Sequence, residues 1–298
     1  MTQSEFPHLK DSALALINSS DQDRILAIRG GTWVNYTLAK ETVSQLEDLL
    51  AYPQVTRMPN ILLVAPSNNG KTSILERFVS LHPPLLDPES EVTVCPVLMI
   101  ECPSSPDISA FYSRILDALM APYKPTAPPQ EKLSQIKRLF KSLGVRMLIL
   151  DEIHHLIAGT LNKQKDFRNA LKSLGNETKV VIVAAGIEDA YNAFATDPQM
   201  SSRFYPVELP TWKANADFGS LLITMESRTP LKKPSNLKDP AKMLALHTRS
   251  EGTLGDICDL FKALAVDAIK SGVEEITLER IGTLRWVPPS RRKQHRRL

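Results

Sequence analysis

Cysteine is scarce in this chain. Cys95, Cys102 and Cys258 are an odd number among 298 residues and form no C-x-x-C pair. Neither a disulfide framework nor a zinc site is expected, and a reducing cytoplasmic setting follows. No apolar run approaches the roughly 18 to 20 residues that cross a bilayer, so no membrane partner is expected. The opening Met1-Thr2-Gln3-Ser4-Glu5 lacks the basic and then apolar layout of a signal peptide. A surplus of one charge sign is missing as well. A net charge of +3 does not by itself mark a nucleic-acid binder. Internal repeats are absent, and the only biased stretches are a proline-rich segment at 121–129 and a basic C-terminus.

The chain does have the ordinary material of a globular protein: 43% hydrophobic and 23% charged residues. Its length suits one main domain with a smaller appendage. Apolar spacing predicts a helix over Thr37 to Ala51, followed by a strand at Asn60–Ala65. A helical pattern through Ile74, Leu75, Phe78 and Leu81 comes next. Further strands are expected at Val92–Ile100, Arg146–Glu152 and Val180–Ala184. Helices near Ile108–Leu119 and Gln130–Leu143 separate them, the latter closed by Gly144. Apolar strands alternating with helices imply an α/β fold with a parallel sheet flanked by helices. Beyond Pro210 no strand signal remains. Helical patterns at Ala214–Ser227, Pro240–Arg249, Leu254–Ser271 and Leu278–Leu284 suggest a small C-terminal helical lid. The expected organisation is an N-terminal helical segment (1–58), a core (59–210), a lid (211–284) and a flexible basic tail (285–298). Pro288 and Pro289 argue against a continuous helix in that tail. Its cations could touch phosphates or an acidic surface, or only aid solubility.

The chemistry centres on Ala65-Pro66-Ser67-Asn68-Asn69-Gly70-Lys71-Thr72, between a strand and a helix. That context fits a phosphate-binding loop, in which backbone N–H groups and a helix N-terminus face the phosphates. Residues Pro66 to Ser73 would line it. Lys71 would reach the β- and γ-phosphates of ATP, and Thr72 would hold Mg²⁺. The first position of the motif is Ala65 where glycine is usual, which a negative φ would accommodate. About eighty residues on, a strand expected to lie next to the phosphate-loop strand ends in Asp151-Glu152. Asp151 suits the Mg²⁺ role and Glu152 that of a base for the attacking water, although a strand can also leave through acids into solvent. His154 and His155 have no third ligand at a recognisable spacing, so surface or hydrogen-bonded roles are expected. Arg203 follows the fourth strand, where oligomeric ATPases place an arginine that reaches a neighbour's γ-phosphate.

These residues resemble the AAA+ ATPases, and among them the transposition regulators of the TniB and TnsC type, with MuB and IstB as distant relatives. The matching stretches include Arg57–Asn60, Asn68–Thr72, Leu143–His154, Leu174–Glu177 and Lys232–Leu237, within a span from about Ile28 to Ser271. The resemblance implies an ATPase that oligomerises on duplex DNA as rings or helical filaments. It would couple a target-selection protein, TniQ-like, to a transposase. Trp33 and Val34 would line the adenine pocket. Ser104, Ser105, Lys124 and Thr126, with Arg114 close in sequence, would face DNA, although each also fits an ordinary surface loop.

Two departures from the AAA+ pattern stand out. The strand at Val180–Ala184 runs into Ala185-Gly186 where a polar sensor is usual, and position 256 is Asp where an arginine is usual. Slow hydrolysis, stimulated by DNA or partners, is therefore expected. A helicase-loader-like ATPase and a nucleotide-gated signalling ATPase without nucleic acid are the alternatives.

Overall fold

The computed structural model describes residues 5–31, 33–86, 93–157 and 160–294. Its contacts divide the chain into two units. One is Thr37–Leu209, and the other joins Met1–Tyr36 to Pro210–Leu298. The sequence had set its boundaries at Met58 and Pro210. The helix Thr37–Ala51 packs in the first unit, whereas residues before it belong with the C-terminal helices.

Among the described residues, the unit Thr37–Leu209 contains seven strands: β1 (Asn60–Val64), β2 (Leu85–Leu86), β3 (Thr93–Val94), β4 (Val97–Glu101), β5 (Met147–Asp151), β6 (Val181–Gly186) and β7 (Phe204–Glu208). Five form one parallel sheet in the order β4-β5-β6-β1-β7, and β2 pairs with β3 antiparallel. Every residue of β1, β5 and β6 is buried, as a sheet covered on both faces requires. The helix Lys71–Leu81 buries Ile74, Leu75 and Phe78, one side of its 3.6-residue period. Phe111 and Phe167 meet edge to face at 5.2 Å beneath the sheet's β4–β5 half.

Four expectations change here. The strand expected over Val92–Ile100 is two strands, because Pro96 supplies no N–H for a ladder. Its carbonyl instead accepts from the N–H groups of Arg146 and Met147 at 2.9 and 3.0 Å. Val92 lies outside the described residues. Secondly, β7 is a fifth core strand that the sequence reading missed. Pro206 sits within it opposite Leu62, which an edge strand tolerates. Thirdly, the strand bearing Asp151 is not the neighbour of the one before the phosphate loop, since β6 lies between them. Lastly, four helices of this unit escaped notice: Leu161–Thr178 and Glu188–Ala195, and the single turns His154–Ile157 and Pro198–Ser201.

The second unit is helical. Its larger helices are Asp21–Gly30, Ala216–Ser227, Pro240–Ser250 and Leu254–Lys270. Ile28 from the N-terminal stretch joins Phe218, Leu222, Leu260 and Leu264 in one core. Arg24 is buried and gives two hydrogen bonds to the Glu274 carboxylate, at 2.7 and 2.8 Å. It also donates to Asp21 and to the Pro230 carbonyl. The segment expected to be a flexible tail is held in place as far as it is described. Pro289–Gln294 is a short helix, and Trp286 Nε1 donates to the Arg249 carbonyl at 2.9 Å. Arg292 stacks over Trp286 and donates to Asp256 at 2.7 Å. The two prolines start this helix rather than prevent it, because a proline at a helix start loses no hydrogen bond. Residues 295–298 lie outside the described residues.

Candidate nucleotide-binding site

The loop from Pro66 to Gly70 leaves the carboxyl end of β1 and enters the helix Lys71–Leu81. Gly70 (φ 87°) and Asn68 (φ 60°) take the left-handed conformations that turn the loop. Ala65 has no positive φ, so the missing first glycine costs nothing in backbone strain. Its N–H donates to the Gly186 carbonyl at 3.2 Å. Asn69 is buried and donates from Nδ2 to the Leu209 carbonyl at 2.8 Å, fixing the loop to the chain after β7.

Lys71 is buried, and its ammonium donates to the carbonyls of Ala65 (2.9 Å) and Pro66 (3.1 Å). Burial pulls its pKa below the ordinary lysine value, against the opposing charges of Glu152 and Asp151. A bound polyphosphate would give this cation the partner its surroundings lack. Thr72 Oγ1 donates to Asp151 Oδ2 at 2.6 Å, so the phosphate-loop helix and the end of β5 meet at one point. Asp151 is 4% exposed. Its other oxygen accepts the Glu152 N–H at 2.9 Å. Glu152 itself is left-handed, with φ 55°. Pro66, Ser67, Asn68, Thr72 and Ser73 are exposed and so accessible to a ligand, whereas Asn69 positions the loop from below.

A family model for bacterial TniB proteins matches residues 24–214. The chain belongs to the TniB family. No curated protein matches the sequence. Solved structures share its fold at low identity. The Aeropyrum pernix ORC2 protein with ADPNP and ADP has a TM-score of 0.58 at 12% identity, over 82% of this chain and 65% of its own. The Cdc6p protein of Pyrobaculum aerophilum has a TM-score of 0.59 at 17% identity, over 82% and 66%. The Aeropyrum pernix ORC1 protein in complex with DNA has a TM-score of 0.59 at 18% identity, over 84% and 65%. This TniB chain thus has the AAA+ P-loop ATPase fold and spans about two thirds of those structures.

Other residues singled out in the sequence of this TniB protein are not part of the phosphate loop itself. Arg203 precedes β7, and its carbonyl accepts from the N–H of Asn60, which opens β1. It is therefore about 15 Å, the length of a five-residue strand, from its own phosphate loop. Its guanidinium donates to Asn176 Oδ1 at 2.8 Å. Trp33 and Val34 fall in the other unit. The Trp33 carbonyl accepts from Arg228 at 2.6 Å, and Val34 lines a cavity of about 170 Å³ with Ile28, Met225 and Phe261. Asp256 carries the Arg292 contact described above.

Ser104, Ser105, Arg114, Lys124 and Thr126 are all exposed. What links their elements is a residue the sequence reading passed over. Lys132 is 2% exposed, and its ammonium donates to Ser109 Oγ (2.8 Å), Ser113 Oγ (2.9 Å) and the Pro125 carbonyl (3.1 Å). It also lies over the Tyr123 ring at 5.3 Å. It therefore holds the proline-rich loop against the helix Ile108–Ala118. The available signal was a lysine beside Leu133 and Ile136 on the buried side of a helix. Among the described residues, no group of three or more His, Cys, Asp or Glu could hold a metal ion. No described helix is long and apolar enough to cross a membrane.

Proposed function

We propose that this TniB protein is an ATP-hydrolysing switch that assembles on duplex DNA in its ATP state and regulates transposition. It would couple a TniQ-like target selector to a transposase. The observation that carries the reading is the meeting of Lys71, Thr72, Asp151 and Glu152 at the carboxyl ends of β1 and β5. The backbone N–H groups of the loop and the N-terminus of the helix Lys71–Leu81 receive the phosphates. Lys71 leaves the carbonyls of Ala65 and Pro66 to pair with the β- and γ-phosphates. Thr72 and Asp151 offer hard oxygen ligands within one hydrogen bond of each other, a set that fits Mg²⁺ completed by phosphate oxygens and water. Held by these two residues, the ion would offset the negative charge that develops on the phosphates during hydrolysis. Glu152 accepts the proton of the attacking water.

Arg203 is too far from its own phosphate loop to serve it, which favours action on a neighbouring subunit of a homo-oligomer. The exposed Ser104, Ser105, Arg114, Lys124 and Thr126 provide a sequence-independent DNA contact. The Aeropyrum pernix ORC1 structure of the same fold is a complex with DNA, which favours this over a signalling ATPase. The test is electron microscopy and ATP turnover with duplex DNA, across a range of salt. Rings or filaments that need ATP are expected. Lys71→Ala should abolish nucleotide-dependent assembly, and Glu152→Gln should trap the assembled state. Absence of any ATP-dependent assembly, or a preference for single strands, would defeat the proposal.

A further inference from the structure

The turn after β5 places a histidine against the residue assigned as base. Glu152 reverses the chain from a left-handed conformation that non-glycine residues seldom adopt. Three hydrogen bonds hold the reversal. Its N–H donates to Asp151 Oδ1 (2.9 Å), Ile153 N–H donates to the Ala185 carbonyl (2.9 Å), and His155 N–H donates to the Glu152 carbonyl (3.1 Å). The fully buried Ile153 anchors the same turn. In this arrangement His154 Nδ1 stands 3.0 Å from Glu152 Oε2. That nitrogen is buried and has no aligned hydrogen-bond partner in the structure, so a small rotation of either side chain would complete the bond. Burial keeps the imidazole below its ordinary pKa. Glu152 opposes this, His155 and Lys71 reinforce it, and Asp189 opposes it. Nδ1 can carry a proton whether the ring is neutral or charged, and the carboxylate is the acceptor in front of it.

The end of β6 closes on the same turn. A Cβ on Gly186 would come within 2.8 Å of Ala190 Cβ and 3.0 Å of Ile153 Cγ2, with the His154 backbone nitrogen 3.6 Å away. Ala190 and the turn thus fill the space where a side chain from β6 would project, which holds the turn bearing His154 in place.

We propose that His154 is a positioning residue for hydrolysis: it donates from Nδ1 to one Glu152 oxygen, fixes the carboxylate and leaves the other oxygen to accept the proton of water. A base oriented by a third group is the general logic of activated nucleophiles, and such supporting partners are commonly worth about 10- to 100-fold in activity. The inference rests on the ATPase reading above.

The experiment measures ATP turnover with duplex DNA, and nucleotide binding separately, for the full chain and four variants. His154→Ala should lower kcat by about 10- to 100-fold while nucleotide affinity stays within about twofold. His154→Asn, which keeps an N–H at a similar reach, should recover part of the loss. In the Glu152→Gln background, His154→Ala should add no further loss, because both act through one carboxylate. An unchanged or raised kcat in His154→Ala, an equal loss of nucleotide affinity, or an additive loss in the double variant would overturn the proposal. If His154→Ala does not fold, comparing the wild type with His154→Asn, and Glu152→Gln with Glu152→Gln,His154→Asn, decides the same question. A wild-type chain that binds ATP yet never hydrolyses it would instead overturn the ATPase reading, and this inference with it.

Discussion

Single residues in this molecule carry charges in places where water cannot help them. Lys132 is the clearest case. Its buried ammonium is satisfied by two hydroxyls and one carbonyl, drawn from the helix Ile108–Ala118 and the proline-rich loop. Lys132→Met keeps the apolar stem and removes three charge-assisted bonds. A loss of about 1 to 3 kcal/mol in denaturant unfolding is expected, as for buried partners left unsatisfied. Duplex affinity should fall with it, because the loop bearing Lys124 loses its tether. Stability and affinity both unchanged would show that the loop is held otherwise. Gly186 makes the opposite point, since its importance lies in having no side chain. Gly186→Ala pushes a methyl against Ala190 and Ile153, and a cost of about 1 to 3 kcal/mol is expected from such overpacking. Both residues were only half legible. Gly186 stood out as a missing sensor, but the reason, the close approach of the turn at Ile153, joins positions more than thirty residues apart. Lys71, Thr72, Asp151 and Glu152 were legible because their chemistry is local to two strand ends.

At the scale of elements, what the sequence revealed depended on periodicity. β1 and β5 read as continuous apolar runs because both faces of the sheet are covered. β7 did not, because Pro206 interrupts it and three of its five residues are exposed at the sheet edge. The helix Leu161–Thr178 buries only Phe167, Leu171 and Leu174, a narrow stripe in a polar segment. The attachment of the helix Asp21–Gly30 was beyond local reading, since Arg24 meets Glu274 across 250 positions. That pair gives a pH prediction. Burial alone would raise the Glu274 pKa. The bonds from Arg24 and the Lys232 N–H, with their charges, outweigh it and hold the carboxylate below its ordinary 4.5. The native state therefore binds this proton less readily than the unfolded chain. The stabilisation is complete above 4.5 and is lost as pH falls through the lower native value. Glu274→Gln should destabilise the helical unit by about 1 to 3 kcal/mol at neutral pH, because it leaves the buried Arg24 with only the more exposed Asp21 as a counter-charge. It should also flatten the acid limb of a stability-against-pH curve. A variant curve parallel to the wild type would refute the linkage.

For the whole molecule, charge decides how DNA could be held. With 36 Lys and Arg against 33 Asp and Glu, the chain has no general attraction for a polyanion. Under the proposed function the grip would come from a few exposed cations, of which Arg114 and Lys124 are the candidates. Two phosphate contacts per protomer give a salt slope of about −2 in log affinity against log salt. So shallow a dependence, and so weak a grip, cannot hold one protomer on duplex at physiological salt. Under the proposed function, protomers bound side by side would add their contacts, and adjacency would require the ATP state that Arg203 senses. Binding should therefore be cooperative in protein concentration. Its slope should be steep with ATP and close to that of one protomer with ADP. The double variant Arg114→Ala,Lys124→Ala should reduce the ATP-state slope by most of its value while leaving nucleotide affinity intact. Filter binding or fluorescence anisotropy at several salt concentrations measures this. A slope that is equal in ATP and ADP would place the DNA contact on single protomers and remove assembly from the account.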